Sequence, residues 1–188
     1  GKAVHVDIDA ANLVDNARRG VVGPDGAIYS SGYTPFPNGN VIAVIKVKAD
    51  GTLDAAFNAG TTAAQPGVAK YNPFTAVSGG FAESYALVLQ STGRVVTSGY
   101  GITGFDAPSK GLDLITVGLK GTDGTLDPTF GRQGVLALQS ELDKGAGLGT
   151  NAFQDRGRAL AVLPDDRTIH VGSYDSYAAM YLVTKDGK

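Results

Sequence analysis

The chain has 188 residues, a formal net charge of −2 with 18% charged side chains, 27 glycines and no cysteine. That length accommodates one large domain or two small ones with a substantial core. The near-neutral balance excludes an electrostatic footprint for nucleic acid or an anionic membrane, the lack of Cys excludes disulfides and thiolate metal sites, and no apolar run approaches the ~20 residues that span a bilayer.

Glycines among Val, Ile, Thr and Tyr point to many short strands and tight turns. The chain opens at Gly1 without Met and without a charged-then-apolar leader, so it is expected to be processed or part of something longer. Lys2 to Ile8 alternates, with Val4, Val6 and Ile8 on one side, and predicts a half-buried strand. After a polar connection to Asn16, Arg19–Val22 leads into a Gly23-Pro24-Asp25-Gly26 turn and returns as Ala27–Tyr33. Thr34–Asn40, with two prolines, is expected to be an exposed loop, followed by a strand over Val41–Lys48 that ends at Asp50-Gly51.

The same order recurs. Ser84–Leu89 turns at Ser91-Thr92-Gly93, returns as Arg94–Tyr100, and reaches Leu112–Leu119 and Asp123-Gly124. Arg158–Leu163 turns at Pro164-Asp165-Asp166 and returns as Thr168–Gly172, and Ala178–Thr184 precedes Asp186-Gly187. Gly26, Gly93 and Asp166 share the turn position, 67 and then 73 residues apart, and Gly32, Gly99 and Gly172 each lie six residues later. A fourth strand is expected at Gly134–Leu138 and, more loosely, at Pro66–Ala69; Gly1–Val6 looks like the same element without its preceding turn.

The fold predicted is therefore all-β: antiparallel four-stranded β-propeller blades, about three in this chain, completed by dimerisation or by further blades. The units are one repeat domain over 1–188, with blades near 16–71, 83–140 and 155–188 closed by a strand at 2–9.

Asp123-Gly124-Thr125-Leu126-Asp127-Pro128-Thr129-Phe130-Gly131, its counterpart Asp50–Phe57, and the turn-plus-strand ending at Gly172 together resemble the delta-sixty repeat family of bacterial proteins over nearly the whole chain. The resemblance implies propeller-like arrays in exported or cell-surface proteins, often parts of longer chains, and brings no catalytic residues to transfer. Asn58 in place of a Gly and Asp166 at the turn depart from its pattern.

Asp50, Asp54, Asp123 and Asp127 are expected to cap turns through the N–H two residues on, since calcium wants six or more converging oxygens. Leu53, Leu126, Phe57 and Phe130 then plug the blade edge. No metal and no cofactor are expected, because two histidines, His5 and His170, make no ligand set, and no phosphate loop, dinucleotide fingerprint or activated nucleophile occurs.

Two sets of residues are candidates for binding. Arg18, Tyr85 and Arg158 occupy one aligned position at the starts of the first blade strands. With Asn16, Glu83 and Arg156 they would ring a channel mouth, suiting either an anionic small molecule or a partner loop, or forming rim charges and inter-blade salt bridges. The loop aromatics Tyr33, Phe36, Tyr100, Phe105 and Tyr174 would offer a carbohydrate- or protein-binding face, or pack beneath the loops.

The function expected is a non-enzymatic exported scaffold or protein-interaction module, periplasmic or extracellular, with a protein partner or self-association. It presents Thr34–Asn40, Ala59–Phe81, Gly101–Gly111 and Glu141–Gln154. The alternatives are a lectin-like carbohydrate- or ligand-binding propeller and an accessory subunit of a periplasmic enzyme with its site at the channel mouth. Fold alone does not choose among them.

Overall fold

The computed structural model describes residues 4, 6–8, 14–36, 39–58, 65–74, 79–103, 111–138, 154–174 and 177–188. Over these residues the chain is all β, with no helix, in three antiparallel sheets. The first sheet runs β1 (Asn16–Val22), β2 (Ile28–Phe36), β3 (Gly39–Val47), β4 (Val68–Tyr71) in that spatial order. The second runs β5 (Phe81–Leu89), β6 (Arg94–Ile102), β7 (Asp113–Lys120), β8 (Val135–Leu138). The third has β9 (Arg156–Val162), β10 (Thr168–Tyr174) and β11 (Tyr177–Val183). Among the described residues no helix is long and apolar enough to cross a membrane.

The leading hairpin of each sheet closes the same way. Gly23, Gln90 and Leu163 donate their N–H to the carbonyls of Ala27, Arg94 and Arg167, and the residue that reverses the chain has positive φ: Gly26 at 79°, Gly93 at 80°, Asp166 at 66°. Aspartate tolerates that left-handed conformation better than most residues. Its carboxylate is also engaged, accepting from the N–H and hydroxyl of Ser91 at 2.6 Å each. The aspartates of the later turns cap as expected: Asp50 and Asp123 each accept from the N–H two residues on at 2.8 Å, and Asp54 and Asp127 do so at 3.1 and 3.0 Å.

Each hairpin also slips register at one place, between Ala17 and Arg19, between Ser84 and Ala86, and at Val171/Gly172 opposite Ala159 and Gly157. A β-bulge there leaves Arg18, Tyr85 and Arg158 as the extra residues. The partner strand comes so close that a side chain on Gly32, Gly99 or Gly172 would overlap the carbonyl of Asn16, Glu83 or Arg156. The glycine six residues past each turn is thus required by backbone approach, as at bulges generally.

Alternating side chains give each sheet two apolar faces, and the sheets stack in series. Tyr29, Ile42, Val44 and Ala69 of the first pack on Leu87, Val95, Ile115, Val117 and Leu119 of the second. The second sheet's other face, with Val88, Val96 and Phe130, packs on Leu160 of the third. Phe57 and Phe130 are fully buried and lie under the next sheet's Asp-Gly turn, where they would meet a side chain on Gly124 or Gly187. The N–H after each phenylalanine bonds that turn too, Asn58 to the Asp123 carbonyl at 3.3 Å and Gly131 to the Asp186 carbonyl at 2.8 Å.

Two expectations change. Val4 and residues 6–8 form no strand; the backbone of Asp7 and Ile8 is held by side chains instead. Gln65 Nε2 donates to the Asp7 carbonyl at 2.7 Å, Lys70 Nζ to the Ile8 carbonyl at 3.0 Å, and Ile8 N–H to Asp15 Oδ2 at 2.6 Å. The expected loop Thr34–Asn40 is largely strand: β2 continues through Pro35, which pairs with Asn40 of β3. A proline is accommodated because β2 at that point has outrun β1, whose register begins at Asn16 opposite Tyr33.

Candidate functional site: an arginine–tyrosine column

Stacking the sheets lines up their three bulges, and a bulge re-aims the residue it extrudes. The result is a column across all three sheets. Both the Arg18 and Arg158 guanidiniums lie over the Tyr85 ring, Cζ to centroid 5.1 and 4.7 Å. Arg18 also lies 5.2 Å over Tyr33, and its Nη2 donates to the Tyr33 hydroxyl at 2.7 Å. Arg158 and Arg156 lie 5.1 and 5.3 Å over Tyr100. Tyr85 and Tyr100 stack at 5.0 Å and 21°, Tyr33 tilts onto Tyr85 at 6.0 Å, and Phe81 meets Tyr100 edge-on at 6.4 Å. Cations over aromatic faces contribute about 0.5–1 kcal/mol each when exposed, and more as they desolvate.

One carboxylate serves the column. Glu83 is buried and accepts from the Tyr85 hydroxyl at 3.0 Å and from the Asn40 amide. The Tyr85 proton is therefore committed to Glu83, so the 2.7 Å contact with Tyr100 has Tyr100 as donor. Burial, then the bonds to Tyr100 and Glu83, push the Tyr85 phenol well above its ordinary range. The Tyr33 hydrogen bond chiefly raises Arg18 further, keeping it charged. Arg156 Nη2 donates to Gln154 Oε1 at 2.5 Å, while its Nε is buried without a hydrogen-bond partner. Among the described residues no carboxylate forms an ion pair with Arg18, Arg156 or Arg158. Three guanidiniums against one carboxylate make a cationic, aromatic-backed surface whose free N–H groups suit carboxylate or phosphate oxygens.

Five residues expected at a channel mouth are thus brought together: Arg18, Tyr85, Arg158, Glu83 and Arg156. Asn16 is not among them; its amide reaches the Val14 carbonyl at 3.5 Å. Of the loop aromatics, Tyr33 and Tyr100 belong to this same column, while Tyr174 packs edge-on against Tyr181 at 5.9 Å. Phe105 and the side chain of Phe36 lie outside the described part, as do His5 and most of the long-loop residues. Asn40 and Phe81 were not foreseen. The signal for merging the two sets was the aligned Gly before Tyr33 and Tyr100, which marks the strand directly beside the extruded residue.

His170 is a strand residue of another kind. It is fully buried, with Nδ1 3.0 Å from Ser98 Oγ and 3.4 Å from Thr116 Oγ1, and Nε2 2.9 Å from Thr168 Oγ1. Burial lowers its pKa to about 4, so the ring is neutral and joins the second and third sheets.

No family model matches the chain, and no curated protein is similar to it in sequence.

Proposed function

We propose that this chain is a non-enzymatic β-propeller-type scaffold, each sheet a blade, that acts outside the cytoplasm as a protein-interaction module and docks an acidic segment of its partner on the arginine–tyrosine column. The observation that carries this reading is the charge imbalance there: three guanidiniums are spaced by stacked tyrosines on rigid strands, and among the described residues none is in an ion pair, the Glu83 carboxylate being taken up by Tyr85 and Asn40. Side chains fixed by stacking lose little entropy on binding, which favours recognition. The equivalent turns, bulges and glycines in the three sheets support the blade reading, as does the resemblance to delta-sixty repeats, which also motivates an exported location. Tyr33 and Tyr100 commit ring faces to guanidinium and to Tyr85, which disfavours the lectin-like alternative. The Tyr85 hydroxyl stands beside the Glu83 carboxylate, but burial and its two hydrogen bonds hold the phenol protonated, well above its ordinary range, which disfavours chemistry there.

Calorimetric titration with poly-L-glutamate tests the proposal. Binding is expected, weakened by salt and by Arg158→Ala about tenfold, with an Arg132→Ala control unchanged. Equal binding by Arg158→Ala and the control, or no binding at all, sinks the reading. Oligosaccharide binding lost on Tyr100→Ala would favour the lectin-like one.

A further inference from the structure

The two ends of the stack are complementary. On the third sheet, register places Ala159 and Ala161 of β9, Ile169 and Val171 of β10, and Met180 and Leu182 of β11 on one face. Val171, Met180 and Leu182 are 44%, 71% and 55% exposed, and no charged residue interrupts them. Counted from the turn residue, Ile169 and Val171 correspond to Val96 and Ser98 of the second sheet. That face of the second sheet is covered, by Leu160 and His170 of the third. At the other end, Val22 and Ile28 are 70% and 44% exposed. They stand where the second sheet has Leu89 and Val95, which pack on the first sheet. The chain therefore bears one uncovered face of each kind.

The N-terminal segment gives the fit a second point. Val6 and Ile8 cover the first sheet's outer face only over Ala43, Ile45 and Val68 of β3 and β4. In the joint between first and second sheets, the corresponding place is held by the first sheet, whose fourth-strand residues Ala69 and Tyr71 belong to the same apolar cluster as Val135 and Ala137 of β8. Residues 6–8 thus lie where a preceding sheet's fourth strand would lie. Among the described residues the third sheet has three strands where the others have four, and β11 pairs on one side, with β10.

We propose that a second copy of this chain closes the stack. The third sheet of each copy seats on the first sheet of the other, and residues 6–8 of the other copy lie beside β11 as its fourth strand. Two such junctions related by a two-fold axis make a closed ring of six sheets, within the usual range for propellers and with no apolar face left open. The existing joints supply the details. Arg94 donates to the Lys185 carbonyl at 2.7 Å across the second joint. Its counterpart Arg167 is tied to Asp165 of its own turn at 2.7 Å and is placed to reach the Ala49 carbonyl of the second copy, which corresponds to Lys185.

Sedimentation velocity across the micromolar range tests this. The expected mass is twice the 19.2 kDa of the chain. Met180→Lys and Val22→Lys alter exposed residues at opposite ends. Each alone is expected to give a monomer with an unchanged circular dichroism spectrum, and an equimolar mixture to regain a dimer through its one unaltered junction. A wild-type monomer at every concentration, masses that grow beyond two copies, a Val22→Lys dimer, or a mixture that stays monomeric each overturns the proposal. A monomer that still binds poly-L-glutamate would overturn the pairing alone and leave the column's proposed role standing.

Discussion

The two joints between sheets use one geometry and two chemistries. Between the first and second sheets the filling is apolar, with Ile42, Val44, Leu87, Val95, Ile115 and Leu119 all but fully buried. Buried polar contact there includes the 2.9 Å hydroxyl bond from Ser84 to Ser31. Between the second and third, the centre is His170 with Ser98, Thr116 and Thr168, all fully or nearly fully buried, beside a smaller apolar cluster. An apolar joint contributes stability in proportion to buried area and tolerates sliding. A buried polar one contributes little net free energy but is costly to mismatch, so it selects one alignment. At their rims the joints agree again. Lys46 reaches the Gly121 carbonyl at 2.9 Å and Asp54 at 2.8 Å, while Arg94 reaches the Lys185 carbonyl and Asp127 at 2.7 Å each. The two cations come from different strands, so the sheets solve one problem by unrelated residues.

The largest test of the contrast is truncation. Leu87→Ala empties a fully buried site and should cost about 2–5 kcal/mol, read as a lowered urea midpoint. Leu160→Ala, half-buried in the second joint, should cost markedly less; equal losses would show the joints to be energetically alike.

Acid comes next. His170 is neutral when folded, with its pKa lowered by burial from 6.5 to about 4, so below pH 6.5 the unfolded chain binds the extra proton first. Stability from this site is therefore complete above pH 6.5 and lost as pH falls towards 4, by on the order of 3 kcal/mol. Comparing urea midpoints at the two ends of that window should show the loss in wild type. It should shrink in His170→Thr, which installs the residue type that Thr97 provides at the corresponding place in the second sheet.

A smaller effect should follow from the rims. Arg94→Ala and Lys46→Ala each strand a carboxylate and a carbonyl and should cost about 1–3 kcal/mol apiece by chemical denaturation. If one is silent, the parallel between the rims fails. Smallest of all, Arg158→Ala should change folding stability by no more than about 1 kcal/mol, because its guanidinium is solvent-exposed. A much larger loss would make the column a clamp between sheets instead of a recognition surface.

Much of the fold was legible. Positive φ at Gly26 and Gly93 follows from the glycine that ends each turn, and Asp166 takes the same conformation in a Pro-Asp-Asp turn aligned with them. The alignment of Arg18, Tyr85 and Arg158 followed by counting from those turns. What counting missed was that Tyr33 and Tyr100 share the site, although each lies fifteen residues from its column neighbour. A hairpin register joins them, and the bulge that tunes it has no residue signature except the glycine opposite. The described part of the expected N-terminal strand is not strand for a related reason: an alternating pattern needs a strand beside it, and Val6 and Ile8 have a sheet face beneath them instead.

Read alone, the amino-acid order determined where the chain reverses, which residues alternate, and which positions in the three sheets correspond, because turns and pleats are local and repeat with short periods. Which face of each sheet is covered, and by what, was decided by the stacking. Alternation separates two sides of a strand without saying which neighbour arrives on either, and only that arrival turns three distant bulges into one column.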